Sequence, residues 1–106
     1  MINIFLDDIR PCPDNYIPAR SYDEMIKLLR ENKGNIKNIS LDHDLGEIRS
    51  GYDVCKWMVE NEIYPTDSII IHSSNPSGVQ AMLQLLTRYA PKTCYVADKY
   101  GNRYYR

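Results

Sequence analysis

Short apolar runs alternate with longer amphipathic segments along this chain, and that alternation restricts the fold more than any other feature. The segments between the runs carry apolar residues at helical spacing. This order predicts an α/β fold with a mainly parallel sheet and right-handed crossovers. The four runs read as buried strands and are INIFL at 2–6, IKNISL at 36–41, SIII at 68–71 and TCYVA at 93–97. A further short segment, IPAR at 17–20, is compatible with a fifth strand.

Three amphipathic helices are predicted between these strands. The first begins at Ser21 and stops at Gly34, because a serine caps helix starts and glycine favours helix ends. The second is predicted from about Asp53 to Glu62. For the third, the pair Ser77 and Gln80 has the spacing of a capping box, which places the helix start there.

Composition and charge argue against several classes of protein. With 106 residues, 43% of them hydrophobic and 25% charged, the chain fits one globular domain. A formal net charge of −1 argues against attachment to nucleic acid or membrane by bulk charge. The sequence lacks an apolar run of about 18 residues and an apolar leader, so a cytoplasmic protein is expected. Three cysteines without a C-x-x-C pair argue against a disulfide framework or zinc site.

Acidic and polar residues follow the predicted strands, at what becomes one edge of a parallel sheet, where ligands bind in open α/β folds. Clustered carboxylates repel each other unless a cation neutralises them. Oxygen ligands suit Mg²⁺ or Ca²⁺ better than zinc, and Mg²⁺, or Mn²⁺ in its place, commonly accepts phosphate oxygens. The cluster therefore predicts metal-dependent phosphate chemistry, with Asp7, Asp8 and Asp42 as metal ligands and Asp44 in support.

Two histidines in this set are candidates for proton transfer near neutral pH. His43 stands between Asp42 and Asp44, which complete the predicted catalytic set, and His72 ends an apolar strand. A surface position or a satisfied place in the core is the simpler interpretation of each histidine, and the sequence leaves both interpretations open.

Four further residues are predicted to bind phosphate. Arg10 and Lys99 would offset its charge, while Ser73 and Asn75 would donate hydrogen bonds. Ser73 and Asn75 could equally cap the helix that follows Pro76. The N-terminus of that helix could in turn receive an anion.

The motifs IFLDD, SLDHDLGEIRSG, IIIHSSN and ADK, in this order, resemble the receiver domains of two-component systems. The resemblance implies a flavodoxin-like three-layer fold with strand order 2-1-3-4-5. It also implies that Asp7 and Asp8 bind Mg²⁺ and that Asp42 stands at the phosphoacceptor position. Ser73 would take the hydroxyl position and Lys99 the lysine position.

The chain departs from ordinary receivers in length and in added motifs. It has room for about three helices instead of five, because the stretches 10–16 and 99–106 are too short for the first and last helices. LDDIRPCP, DHDLG and HSSNP are similar to a divergent branch, the cyclic-phosphate processing receiver domain. That similarity implies an active site for cyclic phosphates or related nucleotides, and it takes in His43, Asp44, His72 and Asn75.

The hypothesis that follows is an enzyme, a metal-dependent phosphoesterase or phosphotransfer domain. Its expected substrate is a cyclic nucleotide or a 2′,3′-cyclic phosphate end, which an RNA terminus can carry. The alternative is a switch that is phosphorylated on Asp42 and regulates a protein partner. A nucleotide-binding module without turnover is the third possibility.

The loss of two helices also raises the question of what covers one face of the sheet. Loop 10–16, the tail or a second subunit are the candidates, and a homodimer is the hypothesis. The tail, KYGNRYYR, interleaves aromatic and basic residues. This pattern suits a packed terminal strand or, alternatively, base stacking.

Overall fold

The computed structural model describes residues 1–104, and the predicted receiver-like α/β fold is confirmed. A five-stranded parallel sheet has the order β2-β1-β3-β4-β5. Residues 105 and 106 of the tail lie outside the described residues. The strands are β1 (Ile2–Leu6), β2 (Ile17–Ala19), β3 (Ile36–Leu41), β4 (Ser68–Ile71) and β5 (Tyr95–Asp98). The helices are α1 (Tyr22–Glu31), α2 (Gly51–Asn61) and α3 (Pro76–Tyr89).

Capping residues move two of the helix starts away from their predicted positions. Helix α2 begins at Gly51 because Ser50 is its N-cap, and the Asp53 carboxylate accepts a 2.8 Å hydrogen bond from the Ser50 backbone N–H. The capping box predicted for α3 is wrong. Asn75 is the N-cap, its Oδ1 accepts from the Gly78 N–H at 3.0 Å, and proline occupies the first helical position. Within residues 1–104, no helix is long and apolar enough to cross a membrane.

The three helices pack on one face of the sheet. Side chains alternate between faces along a strand, and one set is fully buried in the hydrophobic core with the helices. That set comprises Ile4, Leu6, Ile39, Leu41, Ile69 and Ile71. Helix α1 contacts α2, and α2 contacts α3, so the helices form one continuous layer.

The opposite face carries loop and polar side chains instead of helices among the described residues. Asn38 donates to Asn3 at 3.2 Å, and Ser68 donates to Asn38 at 2.6 Å, which links three strands side by side. The β1–β2 connection crosses this face, since the Asn15 carbonyl accepts from the Asn3 amide at 3.2 Å. Within residues 1–104, loop therefore takes the place of helices in the third layer. The homodimer stays a prediction.

Candidate functional site

The two central strands bring the principal acids together at the carboxyl end of the sheet. Leu6 of β1 pairs with Leu41 of β3, so the residues that follow them, Asp7 and Asp42, are neighbours. The Asp42 backbone N–H donates to the Leu6 carbonyl at 2.9 Å and extends the pairing by one step. Asp7 is 0% exposed and Asp42 6% exposed, so two carboxylates are buried side by side.

Every oxygen of the Asp7 carboxylate is hydrogen-bonded. Oδ1 accepts from the backbone N–H groups of Ile9 at 3.0 Å and Arg10 at 2.8 Å. Oδ2 accepts from Arg10 Nη1 and from His72 Nε2, each at 2.9 Å. Burial alone would raise the pKa of Asp7, but these donors outweigh it and lower the pKa to about 2. Asp7 is therefore ionised at neutral pH.

This depressed pKa predicts an acid-sensitive contribution to stability. Because the folded pKa of Asp7 lies below the unfolded value of 3.8, the contribution is complete above that value. It is lost as the pH falls through about 2, and it amounts to about 2 kcal/mol. Urea unfolding between pH 2 and 5, with EDTA present, should show this loss. In an Asp7→Asn protein the same step should be absent; an unchanged pH profile would contradict the assignment.

Both ring nitrogens of His72 form hydrogen bonds, one to Asp7 and the other to Ser40. An ionised carboxylate only accepts hydrogen bonds, so Nε2 carries the proton and Nδ1 accepts from the Ser40 hydroxyl at 2.7 Å. Burial lowers the pKa of His72, against the influence of Asp7, so the ring is neutral at pH 7. The ring also stacks on Phe5, with centroids 4.6 Å apart. The geometry suits a positioning residue; the predicted acid–base role of His72 stays a prediction.

Arg10 places a positive charge between the two buried carboxylates. Its Nη1 lies 2.9 Å from Asp7 Oδ2 and 3.5 Å from Asp42 Oδ2. Its Nη2 donates to Ser74 Oγ at 3.0 Å. The Arg10 side chain is 39% exposed, so it reaches the carboxylates from solvent. The space between Asp7 and Asp42 therefore accepts a cation.

The donor set fits a hard divalent cation. Ligand atoms of Asp7, Asp42 and His72 lie within 4.8 Å of one another. Carboxylate oxygens are the ligands that Mg²⁺ prefers, whereas His72 Nε2 is a donor in the present tautomer and cannot also bind a metal. Asp8 Oδ2 lies beside Gly46, 2.9 Å from where an added Cβ would be, and the predicted role of Asp8 as a metal ligand stays a prediction. Asp7 and Asp42 are thus the residues best placed to hold Mg²⁺.

His43, Asp44 and Asn75 form a second group next to the carboxylates. His43 Nδ1 lies 3.0 Å from Asp44 Oδ1, and Asn75 Nδ2 donates to Asp44 Oδ2 at 3.3 Å. The hydrogen bond from His43 holds the pKa of Asp44 below its ordinary value, so Asp44 is the acceptor and Nδ1 carries the proton. His43 Nε2 has no hydrogen-bond partner among residues 1–104, and in the neutral ring it is the nitrogen that can accept a proton.

Close packing fixes the ring of His43. A Cβ added at Gly78 would lie 2.5 Å from that ring, so only glycine lets the first turn of α3 approach it. The backbone N–H of His43 donates to Asp42 Oδ1 at 2.8 Å, which couples the second group to the acids. The His43 side chain is 21% exposed.

The two other predicted phosphate ligands, Ser73 and Lys99, contact residues close to them in the sequence, and their roles stay predictions. Ser73 is buried, and its hydroxyl accepts from the Asn75 backbone N–H at 3.1 Å, as in a turn. Lys99 is exposed; its Nζ lies 5.4 Å from the centroid of the Tyr100 ring. The structure thus brings together Asp7, Arg10, Asp42 and His72, and beside them His43, Asp44 and Asn75.

Sequence reasoning missed Ser40 and Ser74. Ser40 lies within a strand that was predicted to be buried, where a hydroxyl needs a hydrogen-bond partner. That need is the signal that could have identified it. Ser74 is the middle residue of the HSSN motif, and only the position of Arg10 reveals its contact.

A comparison with protein families identifies the relationship. The family model of the cyclic-phosphate processing receiver domain matches residues 2–88. No curated protein and no solved structure matches the chain. The matched range contains both side-chain groups of the site, from Asp7 to Asn75, and ends within α3. The chain belongs to the family of cyclic-phosphate processing receiver domains.

Proposed function

We propose that this domain is a metal-dependent phosphoesterase or phosphotransfer enzyme acting on a cyclic phosphate or a related nucleotide. One observation carries the proposal: a histidine with a free ring nitrogen, oriented by a carboxylate, adjoins a pair of buried carboxylates suited to a cation. The first group can move a proton and the second can bind the metal that phosphate chemistry commonly uses. Membership of the cyclic-phosphate processing family supports the same substrate class.

In this proposal His43 is the general base. Its Nε2 takes a proton from the water that attacks phosphorus, while Asp44 stabilises the imidazolium through Nδ1. A bond forms between the water oxygen and phosphorus, and the bond between phosphorus and one ring ester oxygen breaks. The proton then passes from Nε2 to the departing oxygen, which leaves as a hydroxyl. The product is a phosphate monoester.

Arg10 would change partners during ligand binding. A divalent metal at Asp7 and Asp42 would neutralise developing charge and orient the phosphate. The metal and the guanidinium carry like charges and would compete for the same carboxylate oxygens, so the guanidinium would be released. It would remain near Ser74, where a bidentate contact to phosphate is available.

Replacement of Arg10 by alanine tests this exchange. We expect Arg10→Ala to raise the affinity for Mg²⁺ alone about tenfold, because the competing cation is gone. Affinity for inorganic phosphate should fall by a similar factor. Titration calorimetry measures both. Arg49→Ala, which removes an arginine stacked on Tyr22, is the control and should change neither. Equal Mg²⁺ affinity in wild type and Arg10→Ala would refute the exchange.

The proposed activity is tested with a panel of substrates. It includes nucleoside 2′,3′-cyclic phosphates, 3′,5′-cyclic nucleotides and a linear phosphodiester, each with Mg²⁺, Mn²⁺ or EDTA. We expect metal-dependent conversion of a cyclic phosphate to its monoester. If the pure protein converts no cyclic phosphate with either metal, the proposed activity is refuted.

A phosphoaccepting switch is the second candidate, and the position of Asp42 favours it. Asp42 ends a central strand beside Asp7, where the resemblance to receivers implies the phosphoacceptor. Incubation with acetyl phosphate followed by intact-mass measurement separates the candidates. A stable adduct that is absent in Asp42→Asn favours the switch. Nucleotide binding with neither adduct nor turnover favours a binding module.

A further inference from the structure

A cavity of about 370 Å³ lies between the first half of α3 and the turn that follows β5. Its volume falls within the range of about 300–1,000 Å³ that small-molecule pockets occupy. None of the steps assigned above uses it. Its lining includes Ser74, Pro76, Val79, Gln80, Lys99 and Tyr100.

The turn that forms one wall is fixed by Asp98. Its Oδ1 accepts from the backbone N–H groups of Tyr100 at 2.9 Å and Asn102 at 2.8 Å, and its Oδ2 accepts from Asn102 Nδ2 at 3.1 Å. Gly101 has a φ of +83°, which permits the tight reversal. Asp98 therefore builds the turn, and the turn presents Tyr100, which is 78% exposed, to the cavity.

The lining combines three kinds of contact. Tyr100 offers an aromatic ring, Pro76 and Val79 offer apolar surface, and Gln80 offers an amide that both donates and accepts hydrogen bonds. This combination matches a planar group with a polar edge. Nucleobases have that chemistry, since every base has a face that stacks on aromatic side chains.

The cavity is continuous with the proposed phosphate position. Ser74 lines it, and the same hydroxyl accepts from Arg10 Nη2 at 3.0 Å. Ser73, which precedes it, also lines the cavity and leads back to His72. A ligand whose phosphate lies near Arg10 can therefore extend its organic group into this cavity.

We propose that this cavity binds the nucleobase of the substrate, with Tyr100 as the stacking surface and Gln80 as a hydrogen-bonding partner of the base edge. The inference rests on the proposed function for its substrate class, and narrows that class to nucleoside cyclic phosphates. Base-free cyclic phosphates would then lack the contacts that this cavity provides.

The test compares a nucleotide with a base-free phosphate, both stable to turnover. Adenosine 3′-monophosphate and glycerol 3-phosphate are titrated by calorimetry with Mg²⁺ present. Tyr100→Ala should weaken adenosine monophosphate binding about tenfold, because it removes the stacking surface. Tyr100→Phe keeps the ring and should bind within about twofold of wild type. Neither should alter glycerol phosphate binding, and Tyr89→Ala, at the other end of α3, is the control.

Several outcomes overturn the inference. They are no adenosine monophosphate binding by wild type, unchanged binding by Tyr100→Ala, or equal loss of both probes in that variant. Turnover of cyclic phosphates separates this failure from failure of the proposed function. If base-free and nucleoside cyclic phosphates are converted with equal kcat/KM, the proposed enzyme activity stands and the base subsite is refuted. If a nucleotide binds through Tyr100 but no cyclic phosphate is converted, the base subsite stands and the proposed enzyme activity is refuted.

Discussion

His43→Gln is expected to lower kcat for a cyclic phosphate about 10³-fold, with a much smaller change in KM. Glutamine preserves a side chain that fits against Gly78 and can donate to Asp44, but it has no basic nitrogen in place of Nε2. Proton removal from the attacking water then falls to solvent. Steady-state kinetics with a nucleoside 2′,3′-cyclic phosphate and Mg²⁺ measures the effect.

Two further variants are compared with His43→Gln in the same assay. Asp44→Asn keeps His43 but weakens the hydrogen bond that orients its ring, so we expect a smaller loss, about 10- to 100-fold. His72→Gln changes the side chain that donates a hydrogen bond to Asp7, and its main effects should be on stability and metal affinity. Wild-type kcat in His43→Gln would exclude His43 as the base. A larger kcat loss in His72→Gln, with metal affinity unchanged, would transfer that role to His72.

The sequence predicted the sheet well because its signal is local and repeated. Each apolar run gives a strand, each amphipathic segment gives a helix, and right-handed crossovers leave few ways to connect them. β3 shows the limit of that signal. IKNISL was read as one buried run, yet Asn38 and Ser40 face away from the helices and make polar contacts on the loop-covered face. A shift of one residue in register exchanges the two faces of a strand, and the apolar content of the run does not show which face each side chain takes.

The sequence predicted which strands carry the site residues, but it did not predict the hydrogen bonds between their side chains. Asp7 and Asp42 had to meet, because parallel neighbours end at the same edge. The different surroundings of the two histidines depend on side-chain contacts between residues distant in sequence. His72 is paired with Ser40, 32 positions earlier, whereas His43 is paired with its neighbour Asp44. Asp98 of the ADK motif also lies at the end of a strand, but its carboxylate serves a local turn.

Asp7→Asn should be the most damaging isosteric change in the acidic group. Oδ1 can still accept from the two backbone N–H groups, so the new amide nitrogen faces His72 and Arg10. His72 can adapt by moving its proton to Nδ1 and donating to Ser40. Arg10 has only donors and cannot adapt. We expect a loss of about 2 kcal/mol in the free energy of unfolding, the cost of a charged hydrogen bond, measured in urea with EDTA.

A double-mutant cycle identifies the cause of that loss. If the donor–donor conflict with Arg10 is responsible, Asp7→Asn should cost about 1 kcal/mol less in an Arg10→Ala background than in wild type. Asp8→Asn is the matched control for stability alone, because Asp8 is only half-buried, and it should change the free energy of unfolding by less than about 0.5 kcal/mol. Asp7→Asn also reports on the metal: its affinity for Mg²⁺ should be at least about tenfold below that of wild type. Asp7→Asn with wild-type stability and wild-type Mg²⁺ affinity would show that the buried carboxylate pair is not the cation site, and the proposed metal-dependent chemistry would lose its structural basis.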